Sequence, residues 1–117
     1  MTIKIEELHN IDFSDVAVKG RRLPNITPGK ILRHDFMEPL GLSASALANA
    51  IHVPANRITA ILDPKKPRAV TADTALRLAA YFGNSEKFWV NLQSDYDLEE
   101  ARKINQADLK KISPIAA

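Results

Sequence analysis

Residues 47–62, LANAIHVPANRITAIL, hold two short runs of helical apolar spacing interrupted at His52-Val53-Pro54. Proline has no N–H to donate and crowds the turn before it, so the first helix must stop before Pro54 and a second starts there. Helices parted by so short a link cross steeply, and both must press on a third element as well as on each other. The residues for that packing are present: Leu47 opens the set, small Ala48 lets the helices approach, Ile51 and Val53 bracket the corner, and Ile58, Ile61 and Leu62 anchor the second helix. His52 occupies the corner itself, where glycine is common because the backbone can need a positive φ. Histidine bears that conformation less badly than a β-branched residue does.

The rest of the chain supplies the supports. Thr27 with Pro28 has the form of a helix start, and GKILRHDFMEPLG follows with Ile31, Leu32, Phe36 and Leu40 on one side and Gly41 at the end. Ser43 or Ser45 caps the helix that carries Leu47. Thr71 caps a fourth helix, closed by Gly83, and Asn84 or Ser85 starts a fifth containing Phe88, Trp89 and Leu92. Asp97 and Glu100 have capping-box spacing, which predicts an additional C-terminal helix to about Asn105. The expectation is all-α: a five-helix, lambda-repressor-like domain over residues 27–105, with that added helix, a tail at 106–117 and an N-terminal extension at 1–26. In the extension Ile3 and Ile5, and then Val16 and Val18, alternate with period two. That pattern suits short partner-binding strands and a disordered arm alike.

Composition narrows the function classes. A chain of 117 residues has room for one core. It contains no cysteine, which excludes a disulfide framework and a thiolate metal site. Nothing resembles a signal peptide or an apolar run long enough to span a bilayer, so a cytoplasmic protein is expected. No cofactor, metal or enzyme activity is expected either. His9, His34 and His52 lack a close metal-ligand spacing, Glu6-Glu7 and Glu99-Glu100 read as solvated faces, and no phosphate-cradling glycine motif or nucleophile elbow occurs.

The steep helix pair matches the helix-turn-helix pattern, in which the first helix supports and the second offers its N-terminal outer face to a DNA major groove. On that face Asn56 suits an adenine edge, Arg57 a guanine or a phosphate, and Thr59 a phosphate or a thymine methyl. Pro54, Ala55 and Ala60 complete the surface of the helix, and Ser45 lies on the helix before it. The whole-chain charge of +2 does not identify a nucleic-acid partner, but residues 27–70 hold six lysines and arginines against three acidic residues. Lys65, Lys66 and Arg68 follow the second helix directly, where a basic loop can grip the phosphate backbone.

From Pro28 to about Arg102 the chain resembles the HigA family of antitoxins, also termed VapI-like, within the Xre or Cro/C1 type of helix-turn-helix proteins. The resemblance is carried by PGKIL (28–32), ADTALRLAAYFG (72–83) and FWVNLQSDYDLEEAR (88–102). It implies a homodimer joined through the C-terminal helices, a palindromic double-stranded operator, repression of the chain's own operon, and neutralisation of a HigB-type toxin, a RelE-like mRNA interferase. The recognition residues it implies are among Pro54, Ala55, Asn56, Arg57, Thr59 and Ala60. Two features depart from the family pattern. The DPKKPRAV loop (63–70) is longer than usual and has no glycine, and the N-terminal extension is longer than in many members. Two alternatives remain open: a free-standing Xre-type regulator without a toxin, and a module that binds only proteins. A small basic reading frame next to the gene separates the first from an antitoxin, and failure to shift any DNA at low salt points to the second.

Overall fold

The computed structural model describes residues 25–115, and five helices account for most of them. The alternating runs at Ile3-Ile5 and Val16-Val18 lie outside the described residues. Helix α1 covers residues 28–40, α2 Ala44–Ile51, α3 Ala55–Leu62, α4 Ala72–Phe82 and α5 Glu86–Lys110. Each start except that of α3 is closed by a side-chain oxygen on a free backbone N–H: Thr27 takes Lys30, Ser43 takes Ala46, Thr71 takes Thr74 and Ser85 takes Lys87. Of the alternative caps, Ser43 and Ser85 are the ones used.

Helix α1 widens into π-helical turns over Leu32–Met37, where the Glu38 N–H reaches back to the Arg33 carbonyl. Pro39 accounts for the widening, because its ring crowds the Asp35 carbonyl and it has no N–H to bond there. Leu32 and Met37 are the buried side chains of this segment, with Phe36 half-buried against them. Leu40, expected on the inner side, is 63% exposed. Its place is taken by Leu42, because the helix ends in a Schellman turn at Gly41 (φ 64°), with Gly41 N–H on Glu38 O and Leu42 N–H on Met37 O. That turn folds Leu42 back onto the core.

Helix α2 packs on α3 and α4, α4 runs along α5, and α1 lies across α3 and α5. The core they enclose is Leu32, Met37, Leu47, Ala48, Ile51, Ile58, Ile61, Val70, Ala75, Leu78, Ala79 and Trp89. Trp89 is fully buried, with its ring 4.8 Å from that of Phe36 and its indole N–H donating to Asn84 Oδ1 at 2.9 Å. The crossing of α1 over α3 is close enough to require a glycine: a Cβ on Gly29 would stand 2.2 Å from the Ile61 carbonyl oxygen.

The separate C-terminal helix expected from Asp97 is instead the second half of α5, which runs unbroken to Lys110. The Asp97 carboxylate accepts a bond from the Gln93 side-chain amide four residues back, rather than capping a new start. No glycine or proline interrupts residues 86–112, so nothing stops the ladder at 96 or at 105. The last turns of α5 stand clear of the core, and every residue from 101 to 110 is exposed.

Candidate nucleic-acid interface

The corner between α2 and α3 is a second Schellman turn, built on a histidine. His52 takes φ 62°, its N–H reaches the Asn49 carbonyl, and the Val53 N–H reaches the Ala48 carbonyl. It is the one non-glycine residue at positive φ among those described. Val53 packs against the core, and Pro54 then begins α3 from an extended conformation without a side-chain cap.

Ile58 and Ile61 are buried, which turns Pro54, Ala55, Asn56 and Thr59 outward as the apolar period requires. Ala60 is half-buried, and Ser45 is exposed on α2. The Thr59 hydroxyl donates to the Asn56 carbonyl at 3.3 Å. Thr59 also borders a surface groove shared with Ser43 and Ala44 at the start of α2 and with Arg33 of α1. The N-terminus of α2 and the outer side of α3 therefore open on common ground.

Arg57 differs from its neighbours. Its side chain is 26% exposed, and Nη1 donates to Asp73 Oδ2 of α4 at 2.7 Å. Asp73 also accepts from Arg77 Nε through both oxygens, at 3.2 and 3.1 Å. Arg77 Nη1 in turn donates to the carbonyls of Ile51 and His52, at 2.9 and 3.3 Å, at the end of α2. The hydrogen bond from Arg57, then that from Arg77, holds the Asp73 carboxyl below the usual carboxylate range. Asp73 and Arg77 are absent from the sequence-derived set. Their i,i+4 pairing is readable from spacing, but the reach of Arg77 to a carbonyl 26 residues away is not.

The glycine-free loop is shaped by Asp63, whose Oδ1 accepts the N–H groups of Lys65 (2.9 Å) and Lys66 (3.3 Å). An aspartate side chain here serves as the turn that a glycine would otherwise permit. The Arg68 N–H then returns to the Ala60 carbonyl at 2.9 Å, and the Val70 N–H is held by Gln93 Oε1 of α5 at 2.7 Å. Lys65, Lys66 and Arg68 are exposed and have no carboxylate in ion-pair range among the described residues. No group of three or more metal-ligating side chains occurs among those residues, and none of their helices is long and apolar enough to cross a membrane.

No family model matches the chain. Individual proteins do. Virulence-associated protein I of Dichelobacter nodosus is 48% identical over 85 residues, 73% of this chain and 77% of that protein. Antitoxin HigA-1 of Vibrio cholerae is 34% identical over 97 residues, 83% of this chain and 89% of that protein. Among solved structures, the Pseudomonas aeruginosa antitoxin HigA with the higBA promoter aligns at a TM-score of 0.73 and 39% identity, covering 79% of this chain and 99% of that one.

Proposed function

The chain belongs to the HigA family of helix-turn-helix antitoxins, and from that premise we propose that it is a DNA-binding antitoxin that represses its own operon. The observation that carries the proposal is the outer face of α3: Ala55, Asn56 and Thr59 are exposed, Thr59 in a groove shared with the first residues of α2, while Ile58 and Ile61 fasten the helix to the core. A helix held in this way can enter a major groove without losing its footing. Lys65, Lys66 and Arg68 stand next to it as phosphate contacts, and these supply the salt-dependent share of affinity. The relative bound to a promoter supports the same reading.

The finer parts of the proposal rest on family likeness and on α5. Leu98, Ala101 and Leu109 fall on one face of the projecting half of α5, with Ile104 (80% exposed) on its flank. A stripe of that kind suits a second copy of the chain, which would double the DNA contact and give a twofold-symmetric reader. The protein partner is a HigB-type toxin of RelE-like fold, and the protein acts by binding rather than by catalysis, in the cytoplasm where its DNA lies.

The test is footprinting on the DNA upstream of the gene, with the oligomeric state measured at the binding concentration. A dimer protecting two dyad-related half-sites about one helical turn apart, roughly 34–36 Å, is expected. Equal affinity for that duplex and a random one overturns the operator reading. Co-purification with the product of a small adjoining reading frame, and relief of its toxicity, tests the toxin partner. A toxin-free gene neighbourhood favours the free-standing regulator instead.

A further inference from the structure

Asp73 stands between two arginines on the surface that carries the recognition helix, and it is 54% exposed there. A carboxylate in that place repels DNA phosphates, so it weakens binding unless it does something else. Its contribution to stability is small, since exposed ion pairs are worth little. What it does determine is position. Asp73 engages only Nη1 of Arg57, leaving the Nε and Nη2 donors of the planar fork without a partner among the described residues. Asp73 is itself fixed by Arg77, and Arg77 by the last carbonyls of α2. One hydrogen-bonded chain therefore runs from the end of the supporting helix, through α4, to an arginine of the recognition helix.

Resting on the DNA-binding reading above, we propose that Asp73 is a positioning residue for sequence recognition: it presets the Arg57 guanidinium as a donor fork for the operator. A free arginine gives up many side-chain conformations when it binds. An arginine already anchored at one corner gives up fewer, and it offers its remaining donors in one orientation. The gain is spent on the operator, where a donor fork meets matched acceptors, and it is absent on DNA whose acceptors lie elsewhere. Arg77 is part of the same device, because it holds Asp73 to the turn whose angle sets α3.

The test compares affinity for the duplex upstream of the gene with affinity for a random duplex of equal length, in the parent protein, Asp73→Asn, Arg57→Ala and the double variant. A partly unfolded sample lowers both affinities alike, so the operator-to-random ratio reports positioning and not stability. Asp73→Asn is expected to lower the ratio about two- to tenfold, the factor set by ordering one long side chain. Its affinity for random DNA should hold or rise, because a negative charge has gone. In the Arg57→Ala background, Asp73→Asn should change the ratio no further. An unchanged ratio in Asp73→Asn, or a further drop in the double variant equal to that in the parent, overturns the proposal. Should Asp73→Asn fail to fold, Asp73→Glu is read by the same ratio and cycle, and the cycle must close on Arg57 in the same way. A parent protein that does not separate the two duplexes removes the operator reading itself, a failure seen without any variant.

Discussion

Replacing Trp89 by alanine should unfold most of the domain at temperatures where the parent is stable. The indole is fully buried, tilted against Phe36 at 4.8 Å and edge-on to Phe88 at 5.0 Å, and its N–H bonds Asn84 at 2.9 Å. Removing a buried tryptophan costs about 3–5 kcal/mol when the surroundings cannot collapse into the cavity. They cannot collapse easily here, since the cavity is walled by side chains from α1, α4 and α5, and closing it would pull three helices out of register. A domain of about 90 residues has a total stability of roughly 5–13 kcal/mol, so the loss is a large share of the whole. At about 4–8 °C per kcal/mol, the melting temperature should fall by roughly 12–40 °C. Far-UV circular dichroism during heating measures this directly. Asn84→Ala is the informative companion, because it keeps the ring and strands the buried indole N–H at a cost of about 1–3 kcal/mol. An unchanged melting temperature in Trp89→Ala would refute the burial reasoning and make the ring a contact for a partner.

Four further outcomes follow from particular side chains. Gly29→Ala drives a methyl group to 2.2 Å from the Ile61 carbonyl and should cost about 1–3 kcal/mol as α1 and α3 separate; a melting temperature equal to the parent's would deny that crossing. His52→Gly should stabilise by roughly 1 kcal/mol in denaturant melts, since glycine takes φ 62° without the Cβ penalty, and a loss of stability would show that the imidazole itself contributes. Lys65→Ala with Lys66→Ala should weaken binding to operator and random DNA together and flatten the salt dependence by about 0.9 for each phosphate no longer neutralised; an unchanged slope would take the loop off the backbone. Asp73 and Glu100 both have lowered folded values, Asp73 from Arg57 and then Arg77, Glu100 from Asn25 and then Lys103. The unfolded chain therefore binds protons first, and their stabilisation, present above the ordinary values of 3.8 and 4.5, is lost as pH falls through the lowered ones. Because both groups are solvent-exposed their share of the acid limb is small, so Asp73→Asn should flatten that limb only slightly, and a limb steeper than the parent's would contradict the sign.

The punctuation of the helices was legible because its causes are local. Thr27, Ser43, Thr71 and Ser85 each bond an N–H two or three residues on, and Gly41 and Gly83 turn the chain within one step of the last helical residue, so a short window contains the whole interaction. The burial of Leu47, Ile51, Ile58 and Ile61 follows from one helical period and was equally accessible. What failed was a local signal with no need to act. Asp97 and Glu100 have the spacing of a start, but a start requires an end before it, and residues 86–96 contain no breaker. Leu40 failed for the converse reason: Pro39 and the turn at Gly41 reset the face, and a fixed period takes account of neither.

At the candidate site, residue type was legible and engagement was not. Asn56 and Thr59 face outward because their neighbours face inward, and that much is periodicity. Arg57 shares the helix but its guanidinium is claimed by α4, a fact that depends on how two residues 16 apart along the chain, on different helices, are set side by side. The loop gives the clearest case. Its lack of glycine marked a departure from the family pattern, yet the physical requirement is only that the chain reverse without stranding its N–H groups. Asp63 meets it by taking two of them, from Lys65 and Lys66, on one carboxylate oxygen. Because the backbone amides of the two lysines are the groups engaged, both ammonium groups stay available to a polyanion. The same aspartate sits beside them as a negative charge, so Asp63→Asn, which keeps the acceptor oxygen, should preserve the turn and strengthen binding to any DNA. Weaker binding in that variant would mean that the turn, and not the charge, governs how the loop meets the phosphates.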